Sequence, residues 1–191
     1  MSMKGLRCAA AIAALALATP LASAVGSGAR PDAPASRSAA APVPEYAMKA
    51  TYLYNFMVYT QWPRSGATAA PSMTMCILGP DPFGAATANL QRKTINGTPI
   101  TVSVINSLEG VRKCQLLYVT ERESGNMDAV LRQISDAPVL TVAESPVASN
   151  AAIQLALEGQ RLVFDVNQAQ LRRASLTLSS KVLQLAREVH N

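Results

Sequence analysis

Apolar residues recur along this chain with two different spacings, and each spacing predicts a type of secondary structure. Segment 45–61, EYAMKATYLYNFMVYTQ, contains no glycine, follows Pro44 and ends just before Trp62-Pro63, which predicts one long helix. Segment 72–79, SMTMCILG, is a short apolar run that stops at a glycine, which is typical of a buried strand.

The middle of the chain continues with alternating strands and helices. A helix is predicted over 81–92, with Asp81 as its N-cap and Pro82 at its first position. Further segments follow the same two spacings, with strands predicted over 98–105, 114–120 and 138–145 and a helix over 126–135. A strand followed directly by a helix is the beginning of an α/β pattern.

The last third of the chain has a different pattern. Residues 151–168 alternate apolar and polar positions on both sides of Glu158-Gly159-Gln160, which predicts a hairpin. A short helix over 168–174, an extended stretch and a terminal helix over 179–189, capped by Ser179 or Ser180, follow. The sequence therefore predicts an α/β fold: a mostly parallel sheet of about six strands flanked by helices, with an antiparallel C-terminal hairpin at one edge.

The composition predicts one folded domain, preceded by two segments that do not belong to it. Residues 25–43 are almost entirely Ala, Pro, Ser, Gly and Val and carry no large apolar side chain, which predicts a flexible linker. Residues 44–190 are long enough to bury a core of their own and are expected to form a single α/β domain.

The first 24 residues have the pattern of a secretory signal peptide. Lys4 and Arg7 precede an apolar run, and Ala22-Ser23-Ala24 supplies a small-residue cleavage site after Ala24. The run is too short for a membrane anchor, which needs about 18 apolar residues. We expect an exported, periplasmic protein that does not insert directly into the membrane.

Charge argues against a nucleic-acid partner. Without Lys4 and Arg7 the chain has 15 basic and 12 acidic residues, a net charge of +3, with no basic cluster larger than Arg172-Arg173. A nucleic-acid-binding domain normally concentrates basic residues on one face.

Candidate catalytic and metal-binding motifs are missing from the sequence. The single histidine is His190, next to the end, so a Ser-His-Asp or Cys-His mechanism has no base. The sequence contains neither H-E-x-x-H nor C-x-x-C. We therefore expect a protein that is not an enzyme and that has no catalytic residue, metal site or cofactor.

The loop GPDPFG after the first strand leaves two possibilities open. Gly79 and Gly84 have the spacing of a phosphate-binding loop, but no lysine stands where that loop needs one. The loop, including Asp81, still lies between a strand and a helix, where α/β sheets bind ligands. It is either a small-ligand site or simply a turn with a helix cap.

Cys76 and Cys114 remain after removal of the signal peptide. An even number of cysteines in an exported chain favours a disulfide, and two buried free thiols are the alternative. Because the two residues belong to neighbouring predicted strands, the bond is feasible, and it would stabilise the fold by roughly 3 to 4 kcal/mol.

Six sequence motifs together resemble the YfiR-like family of periplasmic proteins. In chain order they are KATYLYNFMVYTQWP, MCILGPDPFGAA, INGTPITV, KCQLLYVT, PVLTVAE and RLVFDVNQAQLRRASLTLSSKVLQLA. The resemblance covers about residues 46–187, and Cys76 with Cys114 matches one cysteine pair of the family. A second pair found in some relatives is missing from this chain.

This resemblance implies both a function and a partner. It implies an exported, often dimeric repressor that binds the periplasmic domain of an inner-membrane GGDEF-type diguanylate cyclase and so lowers cyclic di-GMP and biofilm formation. A periplasmic small-ligand binding or sensor protein that uses loop 79–84 is the alternative.

Residues 45–63, which comprise the predicted helix and Trp62-Pro63, contain six of the nine aromatic residues. One stripe of side chains suffices to hold the helix on a sheet. Tyr52, Tyr59 and Trp62 fall outside that stripe and either pack under neighbouring segments or remain accessible for a partner, since aromatic residues are enriched at interface centres.

Overall fold

The computed structural model describes residues 44–63, 72–144 and 150–191. The predicted signal peptide, residues 1–24, and the predicted linker, residues 25–43, lie outside these ranges. Among the described residues no helix combines the length and apolar character needed to cross a bilayer.

The described residues form the following elements. The helices are α1 (Glu45–Tyr59), α2 (Ala85–Gln91), α3 (Met127–Ile134), α4 (Gln168–Arg173) and α5 (Ser180–Leu183), with 3₁₀ turns at Val111–Lys113 and Glu121–Asn126. The strands are β1 (Thr60–Gln61), β2 (Met73–Leu78), β3 (Thr94–Ile95), β4 (Thr98–Ile105), β5 (Leu116–Val119), β6 (Leu140–Glu144), β7 (Ile153–Glu158), β8 (Arg161–Asn167), β9 (Thr177–Leu178) and β10 (Glu188–His190).

The main sheet has the strand order β10-β8-β7-β6-β5-β2-β4-β3. Neighbours from β4 through β2, β5 and β6 to β7 are parallel, whereas β7 and β8 form the antiparallel hairpin. The predicted α/β class and the C-terminal hairpin are confirmed. Two short strands, β3 and β10, extend the six predicted strands to eight in this sheet.

Alternate residues of the central strands fill two cores, one on each face of the sheet. Met75 and Ile77 of β2 belong to the core under α1, which also contains Leu53. Cys76 and Leu78 point to the opposite face, toward the core that α3 covers. Because a strand has a side-chain period of two, an apolar run without alternation places a core on both faces.

Helix α1 is two residues shorter than predicted. It ends at Tyr59, and Thr60 and Gln61 adopt extended geometry to pair with β9. The amide of Ser179 also donates to the carbonyl of Tyr59 over 2.9 Å. The strand pairing outweighs continuation of the helix, whose end was already weakened by Pro63.

The start of α2 differs from the prediction. The helix begins at Ala85 after Gly84, so Asp81 is not its N-cap. The Asp81 carboxylate instead accepts a hydrogen bond from the Phe83 amide over 2.8 Å and one from the Thr87 hydroxyl over 3.1 Å. Asp81 therefore stabilises the turn that precedes the helix.

The predicted terminal helix is also shorter than expected. Ser179 caps α5 by accepting from the Lys181 amide over 3.3 Å, but the helix ends at Leu183. Residues 188–190 form β10, which adds to β8 in parallel. The amide of Arg187 donates to the Phe164 carbonyl over 2.8 Å, which directs the chain onto the edge of the hairpin.

Candidate functional site

The outer side of α1 is the first candidate functional surface. From Ala50 to Pro63 the sequence contains no Asp, Glu, Lys, Arg or His. Thr51, Asn55 and Tyr59 are exposed and lie one turn apart on the same line of the helix. Exposed helix faces are normally charged, whereas the centres of protein interfaces are depleted of charge.

The three predicted partner-binding residues, Tyr52, Tyr59 and Trp62, have different environments. Tyr59 is 41% exposed. Tyr52 is half-buried: its ring packs edge-on against Phe56 and Phe164, each with a centroid distance of 6.0 Å, and its hydroxyl donates to the Leu162 carbonyl over 3.4 Å. Tyr59 is thus available to a partner, while Tyr52 also holds α1 on the hairpin.

Trp62 follows β1 and is half-buried against the core under α1. Its indole Nε1 is fully buried and has no hydrogen-bond acceptor in the part of the chain that the structure describes. An indole N–H that is buried normally has a partner. We call the group Thr51, Tyr52, Asn55, Tyr59 and Trp62 the α1 surface.

A buried ionic cluster near the start of α1 is the second candidate. The Lys49 side chain is only 2% exposed, and its ammonium group forms ion pairs with Glu45, one turn earlier, and with Glu144 at the end of β6. The Tyr118 hydroxyl donates to the second oxygen of Glu144. Tyr46 donates to Glu144 over 3.5 Å, and its ring lies 4.5 Å from the Lys49 ammonium. We call these five residues the Glu144 cluster.

Strand register brings the cluster together. Tyr118 of β5 pairs with Val142 of β6, and Glu144 lies two residues further along β6 on the same face. Its carboxylate therefore reaches the phenol and the inner face of α1. Phe83 packs edge-on against Tyr118, with a centroid distance of 4.9 Å, and against Tyr46 at 5.7 Å, so the aromatic rings shield the cluster from one side.

The surroundings keep the donors of this cluster protonated. Burial and then the hydrogen bond to Glu144 raise the pKa of Tyr118 far above its ordinary range. Burial alone would lower the pKa of Lys49, but its hydrogen bonds with Glu144 and Glu45 outweigh burial and raise the pKa. Lys49 is therefore an ammonium ion at neutral pH, which makes it an ion-pair partner and not a nucleophile.

Two cavities adjoin the Glu144 cluster at the carboxyl edge of the parallel strands. One, of about 300 Å³, is lined by Glu45, Lys49, Glu121, Glu144, Leu155, Ala156 and Leu157. The other, of about 290 Å³, is lined by Tyr46, Pro80, Asp81, Pro82, Thr120, Glu121, Arg122 and Glu144. This edge is where open α/β sheets bind ligands.

The predicted ligand loop borders the second cavity. Asp81 lines it, and the two glycines have positive φ angles, +95° at Gly79 and +52° at Gly84. A Cβ at Gly79 would lie 2.6 Å from the Thr120 Oγ1, whereas a Cβ at Gly84 would meet nothing within 4 Å. Gly79 is thus required both by its backbone conformation and by the close approach of Thr120, the residue that follows β5.

Cys76 and Cys114 form a disulfide, with their Cα atoms 5.8 Å apart. Both residues are buried in the core under α3, on the opposite face of the sheet from α1. The bond joins β2 to the segment just before β5, so it fixes two neighbouring strands.

The sequence signal for the Glu144 cluster is a lysine on a buried helical stripe. Lys49 stands between Tyr46 and Leu53 on the inner side of α1, and a buried ammonium needs a carboxylate partner. Glu144 ends an apolar strand and is the counterpart of that lysine. In the described ranges no group of three or more His, Cys, Asp or Glu residues is placed to hold a metal ion.

Comparison with known proteins identifies one family. A family model described as YfiR/HmsC-like matches residues 46–187, which include the α1 surface, the Glu144 cluster and the disulfide. A search of curated proteins gave no match.

Proposed function

We propose that this protein, which belongs to the YfiR/HmsC-like family, is a periplasmic repressor of an inner-membrane diguanylate cyclase. The family match over residues 46–187 carries the proposal, because it points to a periplasmic regulator of such a cyclase. The repressor binds the periplasmic sensor region of the cyclase, and the result is less cyclic di-GMP and less biofilm.

A binding role also accords with the chemistry of the described residues. The Lys49 ammonium and the Tyr118 phenol of the Glu144 cluster are held in their protonated forms, and both donate to the Glu144 carboxylate, so these groups serve as ion-pair and hydrogen-bond partners within the fold. A periplasmic protein has no access to cytoplasmic nucleotides. Its effect on cyclic di-GMP must therefore pass through a membrane protein, and its size is set by the difference in affinity for the two states of that partner.

The α1 surface is the proposed contact with the cyclase. It combines an exposed tyrosine with a stretch of 14 residues, 50–63, that lacks any charged side chain. Aromatic side chains bury a large area at low cost in conformational entropy, which makes them the usual anchors of an interface. Tyr59 is the anchor, and the half-buried side chains of Tyr52 and Trp62 support it.

Gene deletion tests the repressor function. We expect deletion to raise cellular cyclic di-GMP and surface attachment, and deletion of the partner cyclase as well to abolish the rise. A version without residues 1–24 should remain in the cytoplasm and fail to complement. Complementation by that version, or unchanged cyclic di-GMP in a strain that expresses the cyclase, would refute the repressor function.

Binding measurements test the surface. We expect Tyr59→Ala to weaken binding to the purified periplasmic domain of the cyclase by about 30-fold or more, the effect of losing an interface anchor. Leu185→Ala is the matched control, because Leu185 is a 75% exposed apolar residue outside the α1 surface. If Leu185→Ala weakens binding and Tyr59→Ala does not, the contact lies elsewhere.

A small-ligand binding or sensor protein is the second candidate function. The observation that favours it is the 290 Å³ cavity between loop 79–84 and Glu121-Arg122. Native mass spectrometry of the exported protein would detect a retained molecule. Its loss in an Asp81→Ala variant that keeps its fold would support this function over repression by protein contact alone.

A further inference from the structure

The two edges of the main sheet differ in how they are protected against other strands. One edge is β10, which has only three residues and carries Glu188 and His190. Arg187, just before it, pairs with Asp165 and Glu158 of the hairpin. Short length and charge are the usual means of preventing an edge strand from pairing with another chain.

The other edge lacks this protection over most of its length. Strand β3 pairs with β4 only at Thr98 and Pro99. Beyond Ile100, residues 101–105 (TVSVI) have no outer strand among the described residues and include no charged side chain. Their pairing with β2 is continuous in register from Ile100 to Ile105, so no bulge bends this edge away.

Two hydrogen bonds identify the backbone groups that face outward. On the β2 side, the carbonyl of Ile105 accepts a hydrogen bond from the Gly79 amide over 3.0 Å. On the outer side, the amide of Ile100 donates to the carbonyl of Lys93 over 3.2 Å. Since successive residues of a strand direct their backbone groups to opposite sides, Val102 and Val104 direct theirs outward. Each offers one N–H and one C=O to a further strand.

We propose that β4 pairs with β4 of a second copy of this chain, antiparallel and centred on Ser103. In this register Val102 of one copy and Val104 of the other form a hydrogen-bonded pair, and the two-fold axis repeats it. Four backbone hydrogen bonds result, which use the free groups of both valines and leave the Ile100 bond to Lys93 intact.

The sequence of the strand favours a second copy over another partner. V-S-V, residues 102–104, reads the same in both directions, so a two-fold axis at Ser103 places valine beside valine and serine beside serine. The strand carries no charge, so no like charges meet across the axis. Val104, which is 47% exposed in the single chain, packs beside Val102 of the second copy.

The pairing would join two eight-stranded sheets into one. The axis is perpendicular to the sheet, so α1 of both copies lies on the same side, next to the core that contains Ile100. The inference does not rest on the proposed repressor function, because it concerns an edge outside the α1 surface. The dimer can therefore be disproved without affecting that function.

The first experiment removes the outward N–H of the edge. Val104→Pro deletes two of the four hydrogen bonds in the dimer but no bond to β2, because the N–H of residue 104 faces outward. We expect the dimer dissociation constant, measured by analytical ultracentrifugation, to rise about 30-fold or more. Val104→Thr keeps the β-branched shape and the N–H and should remain dimeric.

The second experiment tests the register without disturbing the backbone. Val102→Cys and Val104→Cys variants carry different affinity tags and are mixed under oxidising conditions. We expect disulfide-linked dimers that contain both tags, and few that contain only one, because residue 102 faces residue 104 of the other copy. The native disulfide lies on the opposite face of the sheet and does not interfere.

These outcomes decide the proposal. A protein that is monomeric at all concentrations, or a dimer that survives Val104→Pro with an unchanged dissociation constant, overturns it. Equal cross-linking within and between the tagged variants overturns the register. If Val104→Pro fails to fold, mixed-tag cross-linking still supports the proposal and its failure still overturns it.

Discussion

Replacing Glu144 with alanine tests whether the Glu144 cluster stabilises the fold. The change removes one ion-pair partner of Lys49, which is 2% exposed, and the acceptor of the Tyr118 hydroxyl. Breaking a buried ion pair costs about 3 to 5 kcal/mol. Because Lys49 keeps Glu45, which is 39% exposed, we expect the lower end, about 3 kcal/mol.

The assay is urea unfolding followed by circular dichroism, together with a double-mutant cycle. A loss of about 3 kcal/mol lowers the midpoint by about 1.5 M if m is about 2 kcal/mol/M. Lys49→Met should cost about 2 kcal/mol, and the double variant about 3 kcal/mol, a coupling of about 2 kcal/mol. Glu121→Ala is the control, because Glu121 is an exposed carboxylate that lines the cavities beside the Glu144 cluster. It should cost less than about 0.5 kcal/mol.

The cluster also predicts how stability depends on pH. The raised pKa values of Lys49 and Tyr118 mean that the folded protein holds these protons more tightly than the unfolded chain. Their contribution is complete below the ordinary values of about 10 and is lost as pH rises above them. The measured coupling should be constant from about pH 7 to 9 and should fall beyond pH 10. A cost of less than about 1 kcal/mol for Glu144→Ala would refute this account. So would a double variant whose cost equals the sum of the costs of Glu144→Ala and Lys49→Met.

Three further changes have expected outcomes of their own. Cys76→Ser should cost about 4 kcal/mol, because the bond to Cys114 closes a loop with a sequence separation of 38; two free thiols by alkylation and intact mass in the wild type would contradict this bond. Gly79→Ala should lower the free energy of unfolding by about 2 to 3 kcal/mol, because the new Cβ would meet Thr120. Gly110→Ala is the control, at a positive φ but in open space, and should lower it by only about 1 kcal/mol. Equal costs would exclude the contact with Thr120 as a cause. Leu53→Ala should cost about 2 to 5 kcal/mol by chemical denaturation, since the side chain is fully buried, and a cost below 1 kcal/mol would contradict the packing of α1.

Local patterns determined which segments form which elements. Apolar runs such as 72–78 and 114–120 are short enough to favour buried strands, and the hairpin follows from alternation around Gly159, because run length, side-chain period and turn chemistry are local properties. The element order in turn implied a parallel sheet, since helices between strands return the chain to the same end. The parallel sheet also makes the predicted disulfide possible, because its two cysteines lie on or beside adjacent strands.

Long-range pairing decided what the local patterns could not. The end of α1 at Tyr59 and the conversion of residues 188–190 into β10 depend on partners more than 20 residues away, β9 and β8. The Glu144 cluster depends on the register of β5 and β6, which places Glu144 within reach of Lys49, 95 positions earlier in the chain. The free edge of β4 is likewise visible only in the assembled sheet. Sequence patterns specify the period and the ends of elements, but contacts between distant residues depend on which strands become neighbours and in which register.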